Sequence, residues 1–334
     1  MFFILIYILT FLLALIFSLY GTPVAREAAI KFNIVDRPDG RLKNQAEPIP
    51  YLGGLAIYIS FLLSLAITFN FSNEVLGLLL SGTIIVLLGL IDDFGVLSPK
   101  VKFLGQIIAA FVLIKSGIKI DIIFFPEWFD VLLTFLWIIG ITNAFNIIDV
   151  MDGLSAGIAA IATFILFIVA LINGNPLIAV FTIALTGSLI GFLKYNFYPA
   201  RIYMGDTGSM FIGFMIGALA MIGKYTLFNK IGFLVPLVIL GIPVFDTLFV
   251  MYIRYRRGLS MFKGSNDHFA LRLRRWRLTV RQTVLLSYLI GVILGFFALF
   301  IIYLSDINAI IMLSILAISI LVAGYYLKKI DVTM

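Results

Sequence analysis

The 334-residue sequence contains no cysteine and a single histidine, His268. Without cysteine there is no disulfide framework, no thiolate nucleophile and no thiolate zinc site. One histidine excludes a multi-histidine metal centre. Any bound metal must be held by carboxylate and carbonyl oxygens, which suits a hard ion such as Mg²⁺. Charge is also scarce, at 12% of residues against about 25% in an average globular chain. Apolar residues make up 62%, phenylalanine alone contributes 32, and the mean hydropathy is +1.14. A soluble domain of this size cannot hide that much apolar surface, so a soluble enzyme and a disordered chain are excluded. The apolar runs are continuous and do not alternate, which excludes a porin-type barrel. What remains is a polytopic helical membrane protein.

A spanning helix needs about 20 mostly apolar residues. Eleven segments qualify: 1–20, 52–70, 75–91, 101–115, 131–147, 154–172, 177–193, 208–225, 231–250, 284–304 and 308–327. The first has no charged leader and no small-residue cleavage site, so it reads as a retained anchor. The expected fold is all-α, eleven transmembrane helices in one polytopic domain. Loops at about 21–51, 92–100, 148–153, 194–207 and 251–283, with the C-terminal tail and Lys102, carry 20 of the 24 Lys and Arg. The positive-inside rule then puts the N-terminus outside and the C-terminus in the cytoplasm. Twelve of the 17 acids fall on the same cytoplasmic side. The segment 116–130 on the other side, with its alternating IKIDIIFF, is expected to form a small hairpin.

Five polar clusters share that cytoplasmic side. IDDFG closes the third span with Asp92 and Asp93. A carboxylate at membrane depth costs about 2.5–3.5 kcal/mol, and a bound cation relieves the cost; the plain alternative is a solvated helix end. NAFNIIDVMDGL places Asn143, Asn146, Asp149 and Asp152 at steps of three, one face of a helix. Interhelical glue explains such a stripe less well, because two carboxylates lack a basic neighbour. YMGDTGSM opens the eighth span: Gly205 and Gly208 allow close backbone approach, Asp206 offers oxygen ligands, the helix start favours phosphate, and Tyr203 is placed to stack on a base. PIPYLGG follows the basic residues Arg41 and Lys43. Loop 251–283 holds nine Lys or Arg and His268; Arg254, Arg257 and Arg272 are candidate phosphate clamps, although positive-inside charge alone accounts for a basic loop. Carboxylates for Mg²⁺, cations for phosphates, an aromatic and an adjacent apolar wall are what phosphoryl transfer from a soluble nucleotide to a lipid phosphate needs.

These motifs, from VDRPDGRLKNQAEPIPYLGG (35–54) to DHFALRL (267–273), resemble the polyprenyl-phosphate N-acetylhexosamine-1-phosphate transferase superfamily, glycosyltransferase family 4 in type. The resemblance implies an eleven-span enzyme of the cell (inner or plasma) membrane, often a homodimer. It implies Mg²⁺ as cofactor, with Mn²⁺ as a substitute, and undecaprenyl phosphate, a UDP-N-acetyl sugar and membrane lipids as partners; no nucleic-acid partner is expected. Carried over by position, it assigns catalysis to Asp92, Asp93, Asp149, Asp152 and His268. Metal binding falls to Asp206 and Asp93. Lys43, Asn143, Asn146, Asn196, Tyr203, Arg254, Arg257 and Arg272 are left for substrate. Two departures stand out. Val150 replaces a glycine in DVMDG, and Ala270 and Leu271 replace two histidines of the family's HxHH signature. The lost histidines favour the UDP-GlcNAc branch over the phospho-MurNAc-pentapeptide branch. Outside enzymes, an ion-coupled transporter is the alternative, but its acids belong near the bilayer midplane.

Overall fold

The computed structural model describes residues 2–36, 48–69, 72–95, 97–122, 125–226, 228–260 and 265–330. Its helices run in the order α1 (Phe2–Lys31), α2 (Gly53–Thr68), α3 (Asn73–Asp93), α4 (Pro99–Lys115), α5 (Glu127–Ile147), α6 (Leu154–Ile172), α7 (Pro176–Asn196), α8 (Gly205–Ile222), α9 (Val235–Ile239), α10 (Gly241–Arg256), α11 (Phe269–Arg275), α12 (Val280–Tyr303) and α13 (Asp306–Lys328). Among the described residues, eight helices are long and apolar enough to cross a membrane, or nine if α9 and α10 with their preceding turn count as one span. The expected spans at 52–70 and 101–115 are helices of only 16 and 17 residues. The chain is thus an all-α, multi-pass membrane protein.

Local chemistry sets the helix ends. Ser98 accepts from the Val101 N–H ahead of Pro99, and Asn175 accepts from the Ile178 N–H ahead of Pro176. Both pairs combine a side-chain cap with a proline in the first turn, where its missing N–H costs nothing. Thr279 and Gln282 close a capping box at the start of α12.

Two expectations need correction. The span expected at 231–250 is not one helix. A 3₁₀ turn (Lys230–Leu234) and α9 meet α10 at a bend of 75°. Pro243 lacks a donor and its ring opposes the carbonyl four residues back, so the helix cannot run through. The hairpin expected in 116–130 has no strand among the described residues, and its positions 123 and 124 lie outside them. Instead the Ile120 N–H donates to Thr134 Oγ1 at 2.9 Å and the Ile122 N–H to Asp130 Oδ1 at 3.4 Å, laying the segment against α5. The strands that do form are β1 (Val35–Asp36) and β2 (Ile49–Pro50), antiparallel, in the loop between α1 and α2.

Helix α8 is buried along most of its length and packs against α2, α3, α5 and α6. Its crossing with α2 is a glycine contact. A Cβ on Gly54 would stand 2.1 Å from the Gly208 nitrogen. The α13 helix lies at the periphery, with Ala309 as its buried residue.

Candidate active site

The start of α8 organises the site. Its N-cap position is Met204, which has no oxygen to offer. The cap comes instead from Asp93 at the end of α3. One carboxylate oxygen accepts the Asp206 N–H at 2.7 Å; the other accepts the Thr207 N–H at 3.1 Å and the Thr207 hydroxyl at 2.5 Å. A negative group at a helix N-terminus satisfies otherwise orphaned donors and complements the helix dipole. Gly205 makes the approach possible. It sits at φ +71°, and a Cβ there would lie 2.6 Å from an Asp93 oxygen.

With Asp93 so engaged, Asp206 faces a second pair of groups. Lys102 of α4 places its ammonium 3.0 Å from Asp206 Oδ2, 2.7 Å from Asp92 Oδ2 and 3.3 Å from Asn146 Oδ1. Asn146 also donates to Asp206 Oδ1 and, at 2.9 Å, to Ser209 Oγ. Asn143 lies one turn back on α5 and exchanges amide hydrogen bonds with Gln106 of α4, at 2.7 and 3.3 Å. It fixes α4 to α5, and thereby Lys102 to Asn146.

The stripe does not remain helical to its end, because α5 stops at Ile147. Asp149 and Asp152 occupy the turn before α6, which begins after Gly153 at φ +77°. Asp149 makes no hydrogen bond or ion pair with any described residue. Its carboxyl is pushed up to about 8, first by burial and then by the charges of Asp206, Asp93 and Asp152. Asp152 accepts the Ala200 N–H at 2.9 Å; burial outweighs that bond and the Arg274 charge and raises its pKa. Asn196 ties the two loops together, accepting from the Gly153 N–H and donating to the Ile202 carbonyl, both at 3.0 Å.

Tyr203 stands beside these acids. The Pro50 carbonyl accepts from its N–H at 2.8 Å, and its ring lies 6.3 Å from that of Tyr51 at a tilt of 48°. Both phenols are half-buried, and burial is the first cause that raises their pKa. The charges of Asp152, Asp36 and Asp149 add to this for Tyr203, and those of Asp36, Asp93 and Asp206 for Tyr51, which also hydrogen-bonds Asp36. Two aromatic rings thus border an acidic cleft.

His268 caps a separate cluster. Its Nδ1 lies 2.7 Å from Asp246 Oδ2, and the other oxygen of Asp246 accepts the Phe269 N–H at 2.9 Å. Three arginines expected to hold phosphate already have protein acceptors. Arg254 donates to the Ser260 carbonyl, and Arg257 pairs with Asp267 at 2.9 Å. Arg272 is buried. It pairs with Asp267 at 2.8 Å and donates to carbonyls at the end of α13, that of Ile330 among them. It therefore ties α11 to α13. Lys43 lies outside the described residues.

A family model for glycosyl transferase family 4 matches residues 75–224. The chain is 37% identical over 301 residues to a probable undecaprenyl-phosphate N-acetylglucosaminyl 1-phosphate transferase of Bacillus subtilis, covering 87% of this chain and 84% of that one. The chain belongs to glycosyl transferase family 4. Other relatives include a decaprenyl-phosphate N-acetylglucosaminephosphotransferase of Mycolicibacterium smegmatis, at 33% identity over 84% of this chain and 79% of that one. A phospho-N-acetylmuramoyl-pentapeptide-transferase of Halalkalibacterium halodurans is 32% identical over 88% of this chain and 95% of that one.

The family 4 match spans every acid of the cleft, together with Asn196 and Tyr203, but not Tyr51, Asp246 or His268. Sequence reasoning missed Lys102, Tyr51 and Asp246 as site residues. Loop charge alone does not single out Lys102. The signal was its charge just inside an apolar span, where an ammonium needs a partner.

Proposed function

We propose that this family 4 protein transfers N-acetylglucosamine-1-phosphate from UDP-N-acetylglucosamine to undecaprenyl phosphate, releases UMP, and so starts an envelope glycan at the cytoplasmic face of the cell membrane. The observation that carries this reading is the convergence of Asp92, Asp93, Asn146, Asp149 and Asp206 from three distant segments beside Tyr51 and Tyr203. The relatives' names supply the substrates. The histidine positions of the muramyl-pentapeptide branch hold Ala270, which is fully buried, and Leu271, which packs on the core. The excess of Lys and Arg in alternate loops supports an outside N-terminus and eleven spans, with α2, α4 and the bent α9–α10 pair among them. A homodimer rests on the resemblance alone.

In the reaction, an oxygen of the lipid phosphate attacks the β-phosphorus of the nucleotide sugar. The bond from that phosphorus to the bridging oxygen breaks, and the oxygen leaves with UMP. Either one in-line displacement or passage through an aspartyl-phosphate satisfies this balance. Tyr203 and Tyr51 stack the uracil. The ammonium of Lys102 neutralises phosphate charge, and His268, oriented by Asp246, donates to a phosphate oxygen. The lipid phosphate is largely dianionic at neutral pH, so Asp149 needs to orient it more than deprotonate it.

The donor set fits Mg²⁺, with Mn²⁺ as its substitute. Mg²⁺ is usually held by one or two carboxylates plus substrate phosphates. Asp206 and Asp92 converge on the same cation, the Lys102 ammonium, and no described group of three or more acidic or histidine side chains encloses a metal. When bound, the ion supplies charge neutralisation on the diphosphate.

The test is a panel of UDP-sugars with undecaprenyl phosphate, scored by UMP release with and without EDTA. Turnover of UDP-N-acetylglucosamine that EDTA abolishes is expected. Turnover of UDP-MurNAc-pentapeptide alone overturns the sugar assignment.

A further inference from the structure

Away from the acidic cleft, a cavity of about 420 Å³ opens between the end of α1 and the segment joining α7 to α8. We propose that it binds a phosphate-bearing anion, supplied either by the headgroup of an acidic phospholipid or as free phosphate.

Its lining includes Thr22, Arg26, Glu27, Tyr195 and Arg201, none of which belongs to the cleft. Arg26 Nε donates to the Arg201 carbonyl at 3.1 Å, which holds the end of α1 to the segment joining α7 to α8. Neither guanidinium has a carboxylate within ion-pair distance among the described residues, although Glu27 shares the cavity. The lining therefore keeps a net positive charge. Arginine forks match the oxygen geometry of a phosphate better than any other side chain.

Thr22 supplies an independent observation. It is fully buried, and its Oγ1 has no hydrogen-bond partner among the described residues. Other buried hydroxyls, such as those of Thr10 and Ser60, donate to the carbonyl one turn back, and Thr22 shares its unpartnered state with Thr247 and Thr283, which do not line this cavity. A buried hydroxyl left unpaired is costly, and a ligand oxygen at this wall removes the cost. Tyr195 is held rigid by its own bond to the Leu19 carbonyl at 3.0 Å.

The position suits a lipid. Tyr20 and Val24 of α1 are exposed apolar residues next to the cavity in sequence, and they offer a track for an acyl chain. Basic pockets between spanning helices bind anionic headgroups on chemical grounds alone. The site also adjoins catalysis. Arg201 lies between Ala200, whose N–H holds Asp152, and Ile202, whose carbonyl accepts from Asn196. An occupant here braces the loop that carries Tyr203.

The experiment is native mass spectrometry of the full chain in detergent with phosphatidylglycerol, phosphatidylcholine or inorganic phosphate. It compares the wild type, the double variant Arg26→Gln/Arg201→Gln, and Thr22→Val. The wild type is expected to retain phosphatidylglycerol over phosphatidylcholine. The double variant should lose about tenfold in apparent affinity for it, with Thr22→Val intermediate. Displacement of the lipid by millimolar inorganic phosphate identifies free phosphate as the source; persistence of the lipid identifies the headgroup. Equal retention of phosphatidylglycerol by wild type and double variant overturns the proposal. If the double variant does not fold, unchanged binding by Thr22→Val overturns it instead.

Discussion

Lys102 and Asp206 come from helices more than one hundred residues apart, yet the ammonium lies 3.0 Å from Asp206 Oδ2 and 2.7 Å from Asp92 Oδ2. One lysine therefore holds two carboxylates that otherwise repel each other across the cleft.

Lys102→Met removes that cation and leaves both acids without an ion-pair partner among the described residues, although Asp206 keeps its bond from Asn146. Breaking a buried ion pair from one side costs about 3–5 kcal/mol; with Asp206 one-third exposed, about 2–3 kcal/mol is expected after solvent screening. The melting temperature in detergent should fall, and UMP release should fall by about a hundredfold or more. Turnover within twofold of wild type removes Lys102 from the mechanism.

Asp149 presents the opposite balance. It has no hydrogen-bond or ion-pair partner among the described residues, and burial, followed by the charges of three neighbouring carboxylates, raises its pKa. Asp149→Asn should therefore stabilise the fold while slowing turnover, a trade common at active sites. The pH dependence follows from the sign of the shift. The folded-state value of about 8 lies above the ordinary carboxylate value of about 4, so between them the folded state holds a proton that the unfolded state releases. Wild-type stability falls across that window as pH rises. The stability gain of Asp149→Asn should grow from pH 5 to pH 8 and level off above it. Melting curves of both proteins at matched pH decide this, and a gain that shrinks with pH contradicts it.

Tyr203→Ala should raise the KM for the nucleotide sugar about ten- to a hundredfold, because stacking contributes about 1–3 kcal/mol per base. Tyr203→Phe should be mild. Tyr51→Ala should act on the same constant, since the rings are neighbours. A change confined to the KM for polyprenyl phosphate moves both residues to the other substrate.

Asp246 orients His268 through Nδ1. His268→Ala and Asp246→Asn should each slow turnover by about ten- to a hundredfold. The double variant should be no slower than the worse single one, as expected for two groups acting as a unit. Fully additive losses indicate that Asp246 serves only the fold, through its bond to the Phe269 N–H.

Much of the cleft was legible because its residues break local rules. Asp92, Asp93, Asp149, Asp152 and Asp206 are carboxylates at the ends of apolar helices, where only function or a partner justifies their cost. The step of three from Asn143 to Asp152 implies one helical stripe, but the structure breaks it. Gly153 enters at φ +77° and Asp149 and Asp152 turn out of the helix. The arginines of loop 251–283 have acceptors that the sequence does not reveal: Arg257 and Arg272 share Asp267, and Arg272 also reaches the Ile330 carbonyl.

Composition and periodicity by themselves determined the all-α membrane architecture, because burial of continuous apolar runs in lipid is additive along the chain and needs no knowledge of neighbours. They also determined which acids are out of place. Tertiary structure alone decided how those acids are used. Asp93 caps α8 from 113 residues away, Lys102 joins Asp92 to Asp206, and Tyr51 stands beside Tyr203. Such contacts depend on how helices pack against one another, and a hydrogen bond or ion pair acts only over a few ångströms. No local pattern of residues encodes which distant side chain will fill that distance.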